Sequence, residues 1–311
     1  MLNILHQRRR HLAALVGILL IPFTAYSRSP AEPEPFPVVR LADHLYKIEA
    51  DGNSVIASVG PDGFLLCDVV KERLTPRLRA NIRELGGTTV RLIINTHWHT
   101  DHTGGNLLFG KEALIIAHEN VRQRLSEDKY LKFWDESHPA YPPHALPDVV
   151  FRERMTVHFN GETIDLIYLP PGHTDGDVVV HFREANVLHV GDCMFSNGFP
   201  AIDFETGGSV AGFADALDRI AELMPPDVRI VTGHGPDVTM AELREYARMV
   251  RASLRSVCEA MARGLDAAAM QRSGLLSEWA AYGHGYFSRE DWIDLIYQSL
   301  LHENPKTGPG G

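Results

Sequence analysis

The stretch whose reading decides the fold is Val90-Arg91-Leu92-Ile93-Ile94-Asn95-Thr96-His97-Trp98-His99-Thr100-Asp101-His102-Thr103-Gly104-Gly105. A β-branched, apolar run that ends in a polar, glycine-containing loop predicts a buried strand delivering its C-terminal loop to the edge of a sheet. Within that loop three histidines and one aspartate fall at i, i+2, i+4 and i+5. Neutral imidazole and carboxylate are the ligands that borderline divalent metals prefer. Crowded imidazoles and a carboxylate gain little from packing, and any that are buried need partners, so a shared cation accounts for them. The competing reading of this stretch by itself is a solvated histidine-rich turn.

Three further apolar runs end in the same chemistry. Ile164 to Leu169 leads into Pro170-Pro171-Gly172-His173-Thr174-Asp175-Gly176, Val187-Leu188-His189-Val190 into Gly191-Asp192, and Ile230-Val231-Thr232 into Gly233-His234-Gly235. In each, glycine beside a candidate ligand permits a tight turn. One glycine turn with a polar residue is ordinary; several in order, each at the end of a predicted strand, form a pattern.

His97-x-His99-x-Asp101-His102, followed by His173, Asp192 and His234, resembles the signature of the metallo-β-lactamase superfamily over roughly residues 40–240. The resemblance implies an αββα sandwich of the α/β (α+β) class, with two mostly antiparallel or mixed sheets face to face and helices outside. It also implies that His97, His99 and His173 bind one zinc and Asp101, His102 and His234 a second, with Asp192 bridging, so two Zn2+ per chain. Two cations sharing one water lower its pKa to about 7 or below, and the resulting hydroxide is the expected nucleophile, with Asp101 orienting it. An aspartate at position 192 is similar to glyoxalase II, lactonases and related dinuclear hydrolases, whereas the true β-lactamases carry cysteine or serine in this region, often with a lysine nearby. The segment Asp192-Cys193-Met194-Phe195-Ser196-Asn197 has no basic residue to grip a drug's carboxylate. The expected function is therefore zinc-dependent hydrolysis of an ester, thioester or lactone. β-Lactam hydrolysis ranks second, and a mono-iron oxidoreductase similar to persulfide dioxygenases third. Cys193 competes for the second metal if it faces inward, but neighbours at a strand end usually point to opposite sides, which favours a buried thiol.

The remaining pattern fits two sheets independently of that resemblance. Short apolar runs at Leu45 to Glu49, Ser54 to Val59 and Phe64 to Val69, with Gly60-Pro61-Asp62-Gly63 between the last two, predict a hairpin at an antiparallel edge. Leu74, Leu78, Ile82 and Leu85 make one stripe of a helix over residues 71–85, stopped by Gly86-Gly87. A strand over 113–117 and a helix over 119–127 follow. The second half offers strands at 156–159, 162–169, 177–182, 186–190 and 228–231, a helix capped by Ser209 to about Leu223, and a long helix from Met240 to about Arg263. Strands, helix, strand and loop thus occur twice.

Residues 128–148 interleave Tyr130, Phe133, Trp134, His138, Tyr141 and His144 with four prolines. They read as a stretch without secondary structure, either a surface loop packed on the body or a wall over the site. Trp134, Tyr141 and Asn197 are the candidate substrate contacts. Trp98 reads as a packing residue, His189 as a core histidine, and Asp175 and Asp177 as acceptors for ligand imidazoles or parts of a solvated turn. His118, His138, His144, His158, His181, His284 and His302 lack ligand spacing.

At the N-terminus, Arg8-Arg9-Arg10, an uncharged stretch from Leu12 to Ile21 and Ala25-Tyr26-Ser27 predict an export signal over residues 1–27, and hence a periplasmic or secreted protein. The alternative is an uncleaved membrane anchor, and Arg9-Arg10-His11-Leu12 is a loose twin-arginine pattern. A proline-rich spacer (28–37), one hydrolase domain (38–262) and a helical extension with a glycine-rich tail (263–311) follow. The tail's Trp292, Ile293, Leu295, Ile296, Leu300 and Leu301 suggest a terminal amphipathic helix. Without the three signal arginines the formal charge of −10 becomes about −13, which disfavours tracking a phosphate backbone and excludes nucleic acid as the expected partner. A small molecule is the expected substrate. Cys67, Cys193 and Cys258 are too scattered for a disulfide framework.

Overall fold

In the computed structural model, which describes residues 33–196 and 198–304, fourteen strands are laid out in two large sheets and one hairpin. The predicted signal peptide, the first part of the spacer and the glycine-rich tail lie outside the described residues. Strands β1 (Val38–Arg40), β2 (Leu45–Ala50), β3 (Asn53–Gly60), β4 (Gly63–Cys67), β5 (Val90–Ile94) and β6 (Leu114–His118) follow one another in the first sheet. β7 (Lys129–Leu131) and β8 (Glu136–His138) pair separately, and β9 (Val149–Phe151) joins β6. The first four strands are antiparallel, as expected of the edge; β4, β5, β6 and β9 are parallel. The second sheet runs β10 (Arg154–Phe159), β11 (Glu162–Tyr168), β12 (Val178–Phe182), β13 (Val187–His189), β14 (Arg229–Val231), antiparallel except for the last pair.

Period-two alternation builds the layers. Leu65 and Cys67 of β4 and Leu92 and Ile94 of β5 face a central apolar layer shared with Leu166, Val178, Val180 and Phe182 of the second sheet. Their neighbours Leu66 and Ile93 face outward under Leu78 and Ile82 of the helix Thr75–Glu84. Val179, Leu188 and Ile230 face outward on the other side, under the helices Val210–Leu223, Met240–Ala262 and Arg289–Glu303. Each fully buried aliphatic side chain contributes about 1.5–3 kcal/mol, and two sheets sharing one layer with helices on both outer faces is the αββα sandwich.

Several local expectations are corrected. The helix expected over 71–85 begins at Thr75, after a single 3-10 turn, because Pro76 suits a first turn but not a helix interior. The stretch 128–148 is not without secondary structure: Lys129 pairs with His138 and Leu131 with Glu136, and a short turn of helix covers Pro143–Ala145. Its prolines fall after the hairpin, where no ladder hydrogen bond is needed. The C-terminal helix packs on the body, with Trp292, Ile293, Leu295 and Ile296 fully buried in the same apolar cluster as Tyr246 and Met249.

Candidate metal centre

The strand ends reach one rim because the two sheets are stitched together there. Val178 N donates to Thr96 O (2.8 Å), Ser54 N to Gly233 O (2.8 Å) and Gly233 N to Gly191 O (2.7 Å). A Cβ on Gly233 would lie 2.1 Å from Asp192 Oδ1, so glycine is what leaves the carboxylate its place.

All seven side chains expected as ligands converge at this rim. His97, His99 and His173 form one group of donor atoms within 4.8 Å of one another, His97, His102 and Asp192 a second, and Asp101, His102 and His234 a third. Asp192 lies between the groups: its Oδ2 is 3.6 Å from His173 Nε2, 4.0 Å from His97 Nε2 and 3.2 Å from His234 Nε2, and its Oδ1 is 3.2 Å from His102 Nε2. Asp101 Oδ2 is 3.4 Å from His234 Nε2 and 3.9 Å from His102 Nε2. His173 Nε2 and His99 Nδ1 approach to 2.8 Å.

Every imidazole is fixed by its outer nitrogen and presents the inner one to this centre. His102 Nδ1 is paired with Asp68 Oδ2 (2.8 Å), His173 Nδ1 with Ala201 O (2.8 Å), His234 Nδ1 with Gly52 O (3.2 Å) and His99 Nε2 with Asp203 Oδ2 (3.2 Å). His97 Nδ1 meets Thr96 Oγ1 (3.1 Å), whose own proton goes to Asp68 Oδ2 (2.8 Å). In a neutral ring, an outer N–H held by an acceptor leaves the inner nitrogen with a lone pair, as a metal ligand requires. His97 Nε2, His102 Nε2 and Asp192 Oδ1 are buried and have no hydrogen-bond partner among the described residues. Buried polar atoms are normally satisfied, so orphans aimed at one point fit a cation with bonds of about 2.0–2.2 Å.

The electrostatics divide the cluster. Burial, reinforced by neighbouring imidazoles, pushes His97 well below the ordinary histidine range and His173 to about 4, so both rings are neutral. Burial also opposes charge on His102 and His234, but Asp192 with Asp68 and Asp101 overrides it, raising His102 well above its usual value and His234 to about 10. The Asp101 and Asp192 carboxyls are held low by these histidines against their own desolvation.

Three supporting residues were not singled out in the sequence. Asp68, just past β4 at φ 63°, accepts from Thr96 N (2.8 Å), Thr96 Oγ1, His102 Nδ1 and His189 Nε2 (3.2 Å). Its burial raises the carboxyl's pKa, yet the two histidines pull it down to about 2. Its only signal was a place after the apolar run Phe64 to Cys67. Asp203 holds His99 and is itself held by Thr206 N and Oγ1. Asn53 Nδ2 donates to Asp101 O (3.1 Å) and Oδ2 (3.2 Å).

Other expectations resolve individually. Cys193 packs in the apolar cluster outside the second sheet, where burial pushes its thiol far up, and it belongs to none of the three converging donor groups. Trp98 is buried, donating to Thr206 Oγ1 (3.2 Å), and His189 is a core histidine facing Asp68. Asp177 accepts from the His173 and Thr174 amides, holding the turn rather than an imidazole, and Asp175 pairs with Arg124. Trp134 lines the cavity over the centre, whereas Tyr141 does not: its hydroxyl meets Thr103 Oγ1 (3.2 Å) behind the histidine loop and its ring packs near Trp98. Asn197 lies outside the described residues. The cavity measures about 230 Å³ and is walled by Leu131, Trp134, Glu136 and His138 of the β7–β8 hairpin and by Tyr286 and Phe287 from the C-terminal extension. Trp134 and Phe287 meet at 5.7 Å between ring centroids, closing an aromatic roof.

A family model described as the metallo-beta-lactamase superfamily matches residues 52–234. A hydroxyacylglutathione hydrolase of Erythrobacter litoralis is 32% identical over 150 residues, covering 48% of this chain and 50% of that protein. A metallo-beta-lactamase type 2 of Bacteroides fragilis is 23% identical over 223 residues, 68% of this chain and 84% of that protein. The chain thus spans about half the length of the hydroxyacylglutathione hydrolase it matches. Among solved structures, the inverting sec-alkylsulfatase Pisa1 from Pseudomonas sp. superposes with a TM-score of 0.65 at 15% identity, over 87% of this chain and 51% of that one. A metallo-beta-lactamase of Cronobacter sakazakii superposes with a TM-score of 0.58 at 19% identity, over 74% and 97%. These two likenesses bear on the fold alone. With its strand ends, its histidine loop and more than half of its length matched by that family model, the chain belongs to the metallo-beta-lactamase superfamily.

Proposed function

We propose that the chain is an exported, zinc-dependent hydrolase that cleaves a small-molecule ester or lactone, or, best supported, a thioester. One observation carries the reading: five imidazoles, each anchored at its outer nitrogen, turn their inner nitrogens into overlapping groups of donor atoms around Asp192. Similarity to hydroxyacylglutathione hydrolases supports thioester chemistry. His97, His99 and His173 would hold one zinc, Asp101, His102 and His234 a second, and Asp192 both. When bound, such ions supply Lewis acidity and a water acidified to near neutrality.

The chain's own groups supply the rest. Asp101, steadied by Asn53, would orient an attacking water by accepting a hydrogen bond from it. Leu131, Trp134, Phe195 and Phe287 present an apolar wall that excludes bulk water and takes the apolar part of an acyl compound. A second reading, β-lactam hydrolysis, is favoured by the Bacteroides fragilis relative, 84% of whose length is matched. Among the described residues no helix is long and apolar enough to cross a membrane. Export rests on residues 1–27 and is tested by fusing residues 1–35 to a reporter, whose purely cytoplasmic retention would refute it.

Zinc-titrated protein should be assayed with S-lactoylglutathione, simple lactones and nitrocefin. Thioester turnover that saturates with the second zinc is expected. Turnover of nitrocefin alone would favour the β-lactam reading, and turnover of none of them would overturn the proposal.

A further inference from the structure

We propose that Lys71 is the anion anchor of this cavity, so that the substrate carries a carboxylate or similar anionic group besides its hydrolysable bond. The inference rests on the reading of the centre as a hydrolase site and adds the charge of what it cleaves. Lys71 is the sole lysine or arginine among the described residues lining the cavity over the seven converging side chains. It is exposed, and no hydrogen bond or ion pair engages its ammonium among the described residues. In a chain whose 40 acidic residues outnumber its 30 basic ones, a cation that lines this cavity without a carboxylate partner is available to a ligand. Elsewhere Arg73 pairs with Asp51, Arg79 with Glu112 and Arg124 with Asp175.

The position of Lys71 is set by the histidine loop. Val69 N donates to His102 O (2.8 Å), and Gly104 lies so close to the following backbone that a Cβ there would stand 2.6 Å from Glu72 N and 2.9 Å from Lys71 Cα. The lysine therefore keeps its register with Asp101 and His102. A cleft of about 70 Å³ adjoins the main cavity on this side, sharing Lys71, Asp101 and Tyr286 with it and adding Asn53 and the ion pair of Arg73 with Asp51, which leaves Lys71 as its unpaired cation among the described residues. An acyl compound lying under the aromatic roof with its reactive carbon at the centre can extend an anionic end into that cleft. There a free ammonium offers a charge-assisted hydrogen bond.

The test is binding to the zinc-loaded full chain, measured by calorimetry with two anilides whose amide bonds lie outside the proposed ester and thioester chemistry: N-phenylsuccinamate, which is anionic, and the isosteric neutral N-phenylsuccinamide. Wild-type protein is expected to favour the anion, Lys71→Gln to lose roughly tenfold of that preference, and Lys71→Arg to retain most of it. Zinc content of each variant, measured in parallel, separates anchoring from damage to the centre. An anion preference unchanged in Lys71→Gln, or absent from the wild type, would overturn the proposal. Because no turnover is needed, failure to hydrolyse any ester or thioester would sink the hydrolase reading while leaving this result interpretable.

Discussion

Replacing Asp68 with asparagine preserves shape and inverts one side of a buried hydrogen-bond hub. The carboxylate accepts from Thr96 N and Oγ1, His102 Nδ1 and His189 Nε2, all within 3.2 Å. An asparagine oxygen kept facing Thr96 N puts its NH2 against His102 Nδ1, donor to donor. The clash is relieved if the ring moves its proton to Nε2, the atom that faces Asp192 at 3.2 Å and has no other partner among the described residues. That proton occupies the lone pair a metal would use. Loss of such an outer partner costs about 10–100-fold in metal affinity, and leaving the His189 donor unsatisfied costs about 1–3 kcal/mol of stability. Competition with a chromophoric chelator gives the zinc affinity, and urea denaturation of chelator-stripped protein gives the stability. A folded Asp68→Asn protein with wild-type zinc affinity would refute the reasoning that His102 is oriented from Asp68.

Asp192→Ala should lose one bound metal while Cys193→Ala keeps both, as counted by elemental analysis; the opposite pattern would reverse the placement of Cys193 in the apolar cluster. In stripped protein His102 and His234 titrate above neutrality, His234 near pH 10, so both carry protons at pH 7 that a cation must displace. Zinc binding should then release about two protons, seen as a dependence of calorimetric enthalpy on buffer ionisation heat, and weaken as pH falls. The same raised values stabilise the stripped fold below the ordinary histidine pKa, a contribution that is lost as pH rises through about 10 for His234. Trp134→Ala should raise KM for substrates with apolar acyl groups severalfold without changing zinc content, and loss of zinc would assign the hairpin a structural role instead. Trp292→Ala removes a fully buried ring stacked on Phe199 at 5.6 Å and should cost about 3–5 kcal/mol in urea denaturation, whereas a near-neutral result would mean the C-terminal helix is not part of the core.

What was legible in the sequence follows from how its signals arise. His97, His173, Asp192 and His234 each follow an apolar run by a few residues, and strands that share a sheet direction end at one rim, so order along the chain became proximity. Asp68 occupies the same kind of place, but a lone aspartate after Phe64-Leu65-Leu66-Cys67 has no companion to make it a pattern. Asp203 gave no signal, since it lies in the irregular stretch leading to the turn Phe204–Thr206. The β7–β8 hairpin is hidden in the sequence because its strands are only three residues long, β8 is wholly polar, and they bracket the aromatic turn Phe133-Trp134. Tyr141 looked equivalent to Trp134 by composition; only tertiary contacts send one to the cavity and the other behind Thr103. Tyr286 and Phe287 reach the site because Trp292 and its neighbours dock the terminal helix, a long-range event with no local trace.

The central claim is that seven side chains hold a pair of divalent ions, and elemental analysis of the purified full chain after zinc loading and exhaustive dialysis tests it most directly. Two zinc ions per chain are predicted, falling to one in Asp192→Ala. A single tightly held iron that zinc does not replace, or no retained metal at all, would contradict the account.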